Sequence, residues 1–320
     1  MLSYKELIST VQKYFAEESF TGEPINLYAP ISYALSMGGK RIRPVMLLSA
    51  VQLFGGDIEK AKNAAIGIET FHNFTLLHDD LMDGSSLRRG KPTVYRKWNQ
   101  NVAILSGDTM NTLAWHKMLC TPSKNLLQIM QVFCQTSIEV CEGQQYDMDF
   151  ETCSDVKLED YLKMIRLKTA VLLGCSLKIG ALIADATHED IEQIYQFGIN
   201  LGMAFQLRDD LLDVYGDTDT FGKKIGTDIE DNKMTYLRIR AIEKADPKQE
   251  AILRAKFDIR ENSVNDIINI YNQLDIRKET EAEIARFHDI AIKYLDKINQ
   301  PSERKQPLID MANQLLNRDK

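Results

Sequence analysis

Apolar residues recur along this chain at intervals of three and four. Ile284, Phe287, Ile290, Ala291, Tyr294, Leu295 and Ile298 form one such series, the stripe that a helix buries when it packs in a bundle. The same spacing runs through 57–83, 94–118, 124–149, 157–185 and 189–215 and predicts long helices there. No segment sustains the two-residue alternation of a half-buried strand. Punctuation agrees, because all eight prolines lie outside 123–246 and no glycine follows Gly226. The residues that close turns and hairpins are therefore scarce over most of the length. The expected fold is all-α, a helical bundle of ten or more helices forming one domain over residues 1–320, with active groups projecting from facing helices into a central cavity.

A chain of 320 residues with 44% hydrophobic content can bury a large core. No apolar run reaches the roughly 18 residues of a membrane span, so no transmembrane segment is expected. The opening Met1-Leu2-Ser3-Tyr4-Lys5-Glu6 lacks the apolar segment of a signal peptide, which predicts a cytoplasmic protein. Cys120, Cys134, Cys141, Cys153 and Cys175 are odd in number, have no C-x-x-C spacing, and several fall at apolar positions of predicted helices. They read as buried reduced thiols rather than disulfides or a zinc site. Net charge is −7 with no basic block, which argues against a nucleic-acid partner. An anionic substrate must then meet local cations, either placed Lys and Arg residues or metal ions.

One acidic cluster occurs twice, as Asp79-Asp80-Leu81-Met82-Asp83 and as Asp209-Asp210-Leu211-Leu212-Asp213. The chain has 26 aspartates, and independent placement predicts only about 0.2 copies of D-D-x-x-D, so two copies are not a chance expectation. In a helix the first and last aspartates of each cluster share a face and can share a divalent cation. Leu76, Leu77 and Leu81 surround the first cluster, and Leu207, Leu211, Leu212 and Val214 the second. The carboxylates thus emerge from apolar helices at a core or cleft, where unpaired they repel one another. A solvated acidic face would carry polar neighbours instead.

Basic residues fall in three short segments. Gly38-Gly39-Lys40-Arg41-Ile42-Arg43-Pro44 ends one apolar helix and opens another, so Lys40 and Arg43 sit on a constrained turn. Such a turn can offer cationic side chains and backbone donors together to a diphosphate, although a glycine C-cap with basic residues near the helix dipole has the same sequence. Gly84-Ser85-Ser86-Leu87-Arg88-Arg89-Gly90-Lys91-Pro92 follows the first acidic cluster. Phe221-Gly222-Lys223-Lys224-Ile225-Gly226-Thr227-Asp228 follows the second, with Asp231-Asn232-Lys233 just beyond. An acidic helix followed by a basic loop appears twice, a pairing that metal-bridged diphosphate explains better than a surface salt-bridge network does.

These segments resemble the trans-isoprenyl diphosphate synthases, the polyprenyl synthetase family that includes farnesyl and geranylgeranyl diphosphate synthases. The match covers 38–44, 72–92, 142–147, 168–169 and 206–233 in the family's order and spacing. The resemblance implies an isoprenoid synthase-type helical bundle, a homodimer, and three magnesium ions (Mg2+) holding an allylic diphosphate between the two aspartate-rich helices. Asp79, Asp83 and Asp209 match the direct ligands; Asp80, Asp210 and Asp213 match partners acting as ligands or through water. Arg88, Lys168, Lys233 and either Lys223 or Lys224 match the grip on the allylic diphosphate. Lys40, Arg43, His72 and Arg89 match the isopentenyl diphosphate site. Thr169 and Gln206 match polar groups along the path of the allylic cation, and Gln144 and Asp147 a supporting pair beside the metals. A basic C-terminal tail present in some members is reduced here to Arg318-Asp319-Lys320 and receives no role.

The reaction implied is condensation of isopentenyl diphosphate with dimethylallyl, geranyl or farnesyl diphosphate. Two other readings compete with it. A terpene cyclase shares the fold and the first acidic motif, but handles one diphosphate and typically replaces the second D-D-x-x-D. A noncatalytic partner subunit of a prenyl synthase usually loses aspartates, whereas this chain keeps all six. Product length should be set by side chains upstream of Asp79. Phe74 lies about 7 to 8 Å down the helix from Asp79 at the usual rise and can close a tunnel, Thr75 beside it is not aromatic, and Phe71 could form a second floor. The expectation is a fifteen- to twenty-carbon product, leaning to geranylgeranyl diphosphate.

Overall fold

The apolar stripe over 57–83 becomes a 3-10 turn, Ile58–Ala61, followed by the helix Lys62–Met82. Asp57 caps the turn by accepting from the Glu59 amide, and Ala64, Ala65, Ile68, Phe71 and Leu77 bury the inner face. The computed structural model describes residues 1–153, 155–216, 226–255 and 263–316. Within them the chain is helical apart from one short ribbon, the all-α architecture that the periodicity predicts.

The chain divides into two units. The first comprises Met1–Phe133, Ser176–Glu192 and Asn299–Leu308, and the second Cys134–Cys175, Gln193–Ile298 and Ile309–Lys320. In chain order the helices are α1 (Tyr4–Glu17), α2 (Ile25–Ser36), α3 (Ile42–Leu53), α4 (Lys62–Met82), α5 (Val94–Lys97), α6 (Gln100–Leu119), α7 (Leu126–Phe150) and α8 (Leu158–Ile165). They continue as α9 (Val171–Ile183), α10 (His188–Tyr215), α11 (Thr227–Glu230), α12 (Tyr236–Lys244), α13 (Pro247–Arg254), α14 (Val264–Gln273), α15 (Ile276–Lys297) and α16 (Ser302–Leu316).

In the first unit, Ile31, Leu35, Leu77, Val94, Ala103 and Met110 from α2, α4, α5 and α6 form a buried cluster. The helix expected over 94–118 is broken at Trp98. There Asn99 turns the chain and caps α6, its side-chain oxygen accepting from the Val102 amide at 2.9 Å, as a short polar side chain does at a helix start. In the second unit, Tyr161, Met164, Leu207, Leu211, Leu237, Ile270, Tyr271 and Ile284 lie in one core drawn from α8, α10, α12, α14 and α15.

Three local features depart from the sequence pattern. The run expected over 157–185 is α8, a π-helical turn Arg166–Ala170, and α9, so one extra residue is inserted where Lys168 and Thr169 lie. A two-residue antiparallel ribbon pairs Leu87 with Pro92 and Arg88 with Lys91. It closes through Arg89 (φ 52) and Gly90 (φ 74), the paired left-handed residues of a tight hairpin turn. The cysteines correct the expectation of buried thiols. All five are free, but only Cys175 is buried. Cys134 and Cys141 share an exposed stripe of α7 with Ile138, Gln145 and Met148, because helical periodicity marks a face without saying whether another element of the chain covers it. Among the described residues no helix is long and apolar enough to cross a membrane.

Candidate active site

The first acidic cluster closes α4, and its three carboxylates diverge. Asp80 is buried and both its oxygens accept from Arg88 Nε, at 2.8 and 2.9 Å. Arg88 Nη2 also stands 3.7 Å from Asp79 Oδ2. Burial raises the Asp80 carboxyl to about 6 against the opposing pull of Arg88, and the Asp79 and Asp83 charges raise it further. Asp79 is half-buried and Asp83 exposed. The pair four residues apart is therefore the outward pair, and Asp80 ties the helix end to the hairpin carrying Arg88. The intervening loop is fixed by Thr93, whose hydroxyl donates to the Ser85 carbonyl at 2.8 Å.

The basic turn is built around Arg89. Gly38, Gly39 and Arg41 all have left-handed backbone, with φ of 79, 121 and 49. Gly39 is required by its backbone, since φ 121 is strained for any residue with a β-carbon; the Arg89 guanidinium packs against it, and Arg89 Nη1 donates to the Gly38 carbonyl. The turn Gly38–Pro44 and Arg89 thus form one structure, with Lys40 exposed and Arg43 half-buried. His72 belongs to the same neighbourhood. Its pKa lies well below the usual histidine range because of burial first, then the positive charges of Arg43, Arg89, Arg88 and Arg41. It is a neutral imidazole among guanidiniums, two of which, Arg43 and Arg89, the resemblance assigns to isopentenyl diphosphate.

In the second unit the acidic cluster closes α10. Asp210 is buried, with Tyr161 donating to one oxygen and Gln206 Nε2 to the other at 2.9 Å. Gln206 in turn accepts from the Thr169 hydroxyl at 2.9 Å. Burial raises Asp210 to about 7, the Asp228 charge adds to this, and the Tyr161 and Gln206 hydrogen bonds oppose it. Asp213 accepts from the Asp228 amide at 3.0 Å, as an anion does at a helix start. Asp209 is half-buried. The second aspartate of each cluster is engaged by the chain's own donors, and the first is the more accessible.

Two of the expected diphosphate-binding lysines meet on one carboxylate. Lys168 Nζ is 2.5 Å and Lys233 Nζ 3.9 Å from Asp147 Oδ2. Gln144 lies one turn earlier on α7. Lys223 and Lys224, like 318–320, lie outside the described residues. On α4, the Phe71 and Phe74 ring centroids are 5.5 Å apart, Phe71 stacks edge-on against Phe133 at 5.2 Å, and Phe74 meets His78 at 4.9 Å. The Thr75 hydroxyl donates back to the His72 carbonyl at 2.8 Å. Sequence reasoning gave no role to Arg41, Glu69, Tyr161 or Gly143. Arg41 stood within the basic motif and Glu69 one turn before His72, so both carried a signal; Tyr161 carried none.

Among the described residues no three His, Cys, Asp or Glu side chains converge into a ready-made metal cage. The donors are carboxylate oxygens in pairs, which suits magnesium. That ion keeps several waters and binds through one or two carboxylates together with substrate phosphates.

Comparison with known proteins identifies the family. The polyprenyl synthetase model matches residues 24–274. A geranylgeranyl diphosphate synthase of Saccharolobus solfataricus is 36% identical over 307 residues, covering 92% of this chain and 88% of that one. A crystal structure of geranylgeranyl pyrophosphate synthase superposes with a TM-score of 0.94 at 41% identity, covering 100% of both chains. A polyprenyl synthase from Caulobacter crescentus CB15, crystallised with calcium and isoprenyl diphosphate, superposes with a TM-score of 0.88 at 27% identity. With the family model covering most of its length and its fold reproduced by these structures, this chain belongs to the polyprenyl synthetase family.

Proposed function

We propose that this protein is a magnesium-dependent prenyltransferase that condenses an allylic diphosphate with isopentenyl diphosphate, giving an all-trans product of fifteen to twenty carbons and releasing diphosphate. The observation that carries the reading is the presence of two separate cationic sets. One gathers Arg43 and Arg89 around His72 in the first unit, and the other gathers Lys168 and Lys233 on Asp147 in the second. A cyclase handles one diphosphate and needs one set. Elongation handles two.

The chain's own residues divide the work. Arg89, Arg43, Lys40 and neutral His72 hold isopentenyl diphosphate; Lys168, Lys233 and Arg88 hold the allylic diphosphate. Asp79, Asp83 and Asp209 present carboxylate oxygens for three magnesium ions, with Asp80, Asp210 and Asp213 fixing the helix ends beside them. Magnesium, when bound, offsets the negative charge that gathers on the departing diphosphate. Thr169 and Gln206, joined by a hydrogen bond, present oxygen dipoles to the allylic cation, which the isopentenyl double bond attacks before the departing diphosphate takes up the proton that is lost. No protein nucleophile is needed. Phe74 and Phe71 close the apolar depth that receives the growing chain, and relatives that are geranylgeranyl diphosphate synthases support the longer end of the range.

A homodimer in the cytoplasm completes the reading. It is supported by the exposed stripe Cys134, Ile138, Cys141, Gln145 and Met148 on α7, a face suited to a second copy. Sedimentation of the purified protein tests the dimer. Incubation with magnesium, isopentenyl diphosphate and each allylic starter, with product length read by mass spectrometry, tests the reaction. Linear prenyl diphosphates of fifteen to twenty carbons are expected. A cyclised hydrocarbon, or no product from any starter, would overturn the assignment.

A further inference from the structure

The turn that presents Lys40 and Arg43 has a third basic residue between them, and its side chain goes inward. Arg41 is buried, with Nη1 donating to Glu69 Oε1 at 2.8 Å and Nη2 to the Leu35 carbonyl at 2.5 Å. Its guanidinium lies over the Phe15 ring, 4.8 Å from the centroid. Its backbone is left-handed, with φ 49 and ψ 39, a conformation that residues other than glycine seldom adopt unless the surroundings enforce it. Here the enforcement is visible in three contacts that draw the side chain inward, onto α4, α2 and α1.

Glu69 is more deeply buried, at 2% exposure. Its Oε1 also accepts from Asn73 Nδ2 at 3.1 Å, and its Oε2 is buried with no hydrogen bond among the described residues. Burying a carboxylate is costly unless a cation or donor is fixed against it, and here Arg41 is that cation. It lies one turn before His72 on α4; burial lowers the Arg89 pKa, and the Glu69 charge opposes that shift.

We propose that Arg41 and Glu69 are positioning residues of the isopentenyl diphosphate pocket. Arg41 does not touch substrate. Anchored on Glu69, Leu35 and Phe15, it holds Gly38–Pro44 on the path that leaves Lys40 exposed, and it offsets the charge of Glu69, a buried carboxylate that would otherwise repel the incoming diphosphate. The assignment of the pocket to isopentenyl diphosphate rests on the proposed function above.

Steady-state kinetics of Arg41→Asn and of Arg41→Asn combined with Glu69→Gln test the idea. Asparagine tolerates the left-handed backbone but leaves Glu69 without its cation. The single variant should raise KM for isopentenyl diphosphate at least about tenfold, with kcat and the allylic KM within about threefold of wild type. The second substitution removes the bare anion and should return the isopentenyl KM to within about threefold, the non-additivity of two groups in contact. Equal losses toward both substrates, or a deeper loss in the double variant, overturn the proposal, because a merely structural role predicts those results. Should Arg41→Asn not fold, Arg41→Lys keeps the charge and loses the Leu35 anchor; it should raise the same single KM, and an unchanged KM overturns the proposal. Calorimetry with inorganic diphosphate in chelator reads the pocket without turnover. A wild type that condenses nothing yet binds diphosphate in an Arg41-dependent manner defeats the proposed reaction and leaves the pocket standing. Binding indifferent to Arg41→Asn defeats the pocket.

Discussion

A β-carbon on Gly143 would stand 2.2 Å from the backbone nitrogen of Lys168, so α7 runs in direct backbone contact with the π-helical turn that carries Lys168 and Thr169. The contact accounts for both features. A π-turn displaces one residue from the α-helical path, and only a glycine opposite leaves room for the displaced backbone. Asp147, one turn further along α7, then reaches the Lys168 ammonium at 2.5 Å.

Gly143→Ala should therefore damage catalysis more than its size suggests. Overpacking at a backbone contact costs about 1 to 3 kcal/mol, and displacing Lys168 and Thr169 by a fraction of an ångström should lower kcat about ten- to a hundredfold. Melting temperature and single-turnover rates measured together check this. An alanine variant with wild-type turnover would show that the turn does not set the position of Lys168.

Removing an outward carboxylate should abolish turnover without unfolding the chain. Asp79→Ala or Asp209→Ala is expected to lower the rate by several orders of magnitude at saturating magnesium, while the far-ultraviolet spectrum is unchanged, because each deletes a proposed metal ligand and relieves repulsion among neighbouring carboxylates. Rates near wild type in either variant would remove that residue from the metal ligands.

His72 gives the protein a pH dependence of known sign. Its folded pKa is depressed by burial and by the surrounding guanidiniums, so the unfolded chain binds the proton more readily, and stability falls as pH drops below the ordinary histidine value of about 6.5. Above that value His72 is neutral in both states and contributes no slope. Denaturant titrations at a series of pH values should show His72→Gln losing less stability than wild type on acidification; identical slopes would mean that His72 is protonated in the folded protein.

Phe74→Ala should lengthen the product. The ring is half-buried and held between Phe71 and His78, so its removal opens apolar volume without touching a carboxylate or a diphosphate-binding cation. Products longer than those of wild type, with unaltered magnesium dependence, are the expected outcome by chromatography of the dephosphorylated alcohols. An unchanged profile would move the floor to Phe71 or Phe133.

Much of this protein is written in its sequence, for a definite reason. Helical periodicity records which residues share a face, so 124–149 and 189–215 were legible as α7 and α10 to within a residue or two, and aspartates four apart were legible as a pair. The glycines and cations of 38–44 marked a turn because left-handed backbone and clustered charge leave few alternatives. Periodicity does not record what covers a face. Asp80 and Asp210 are adjacent in sequence to Asp79 and Asp209, yet they turn inward because Arg88 on a hairpin and Tyr161 on α8 meet them there. Arg41 sits between exposed Lys40 and half-buried Arg43 and is itself buried because Glu69, a distant residue, supplies its counter-charge. Cys134 and Cys141 look apolar and stand exposed because, among the described residues, no other element covers that stripe of α7. Each of these outcomes depends on a partner remote in sequence, and only tertiary packing, which pays the desolvation of a buried charge with a fixed donor, decides them.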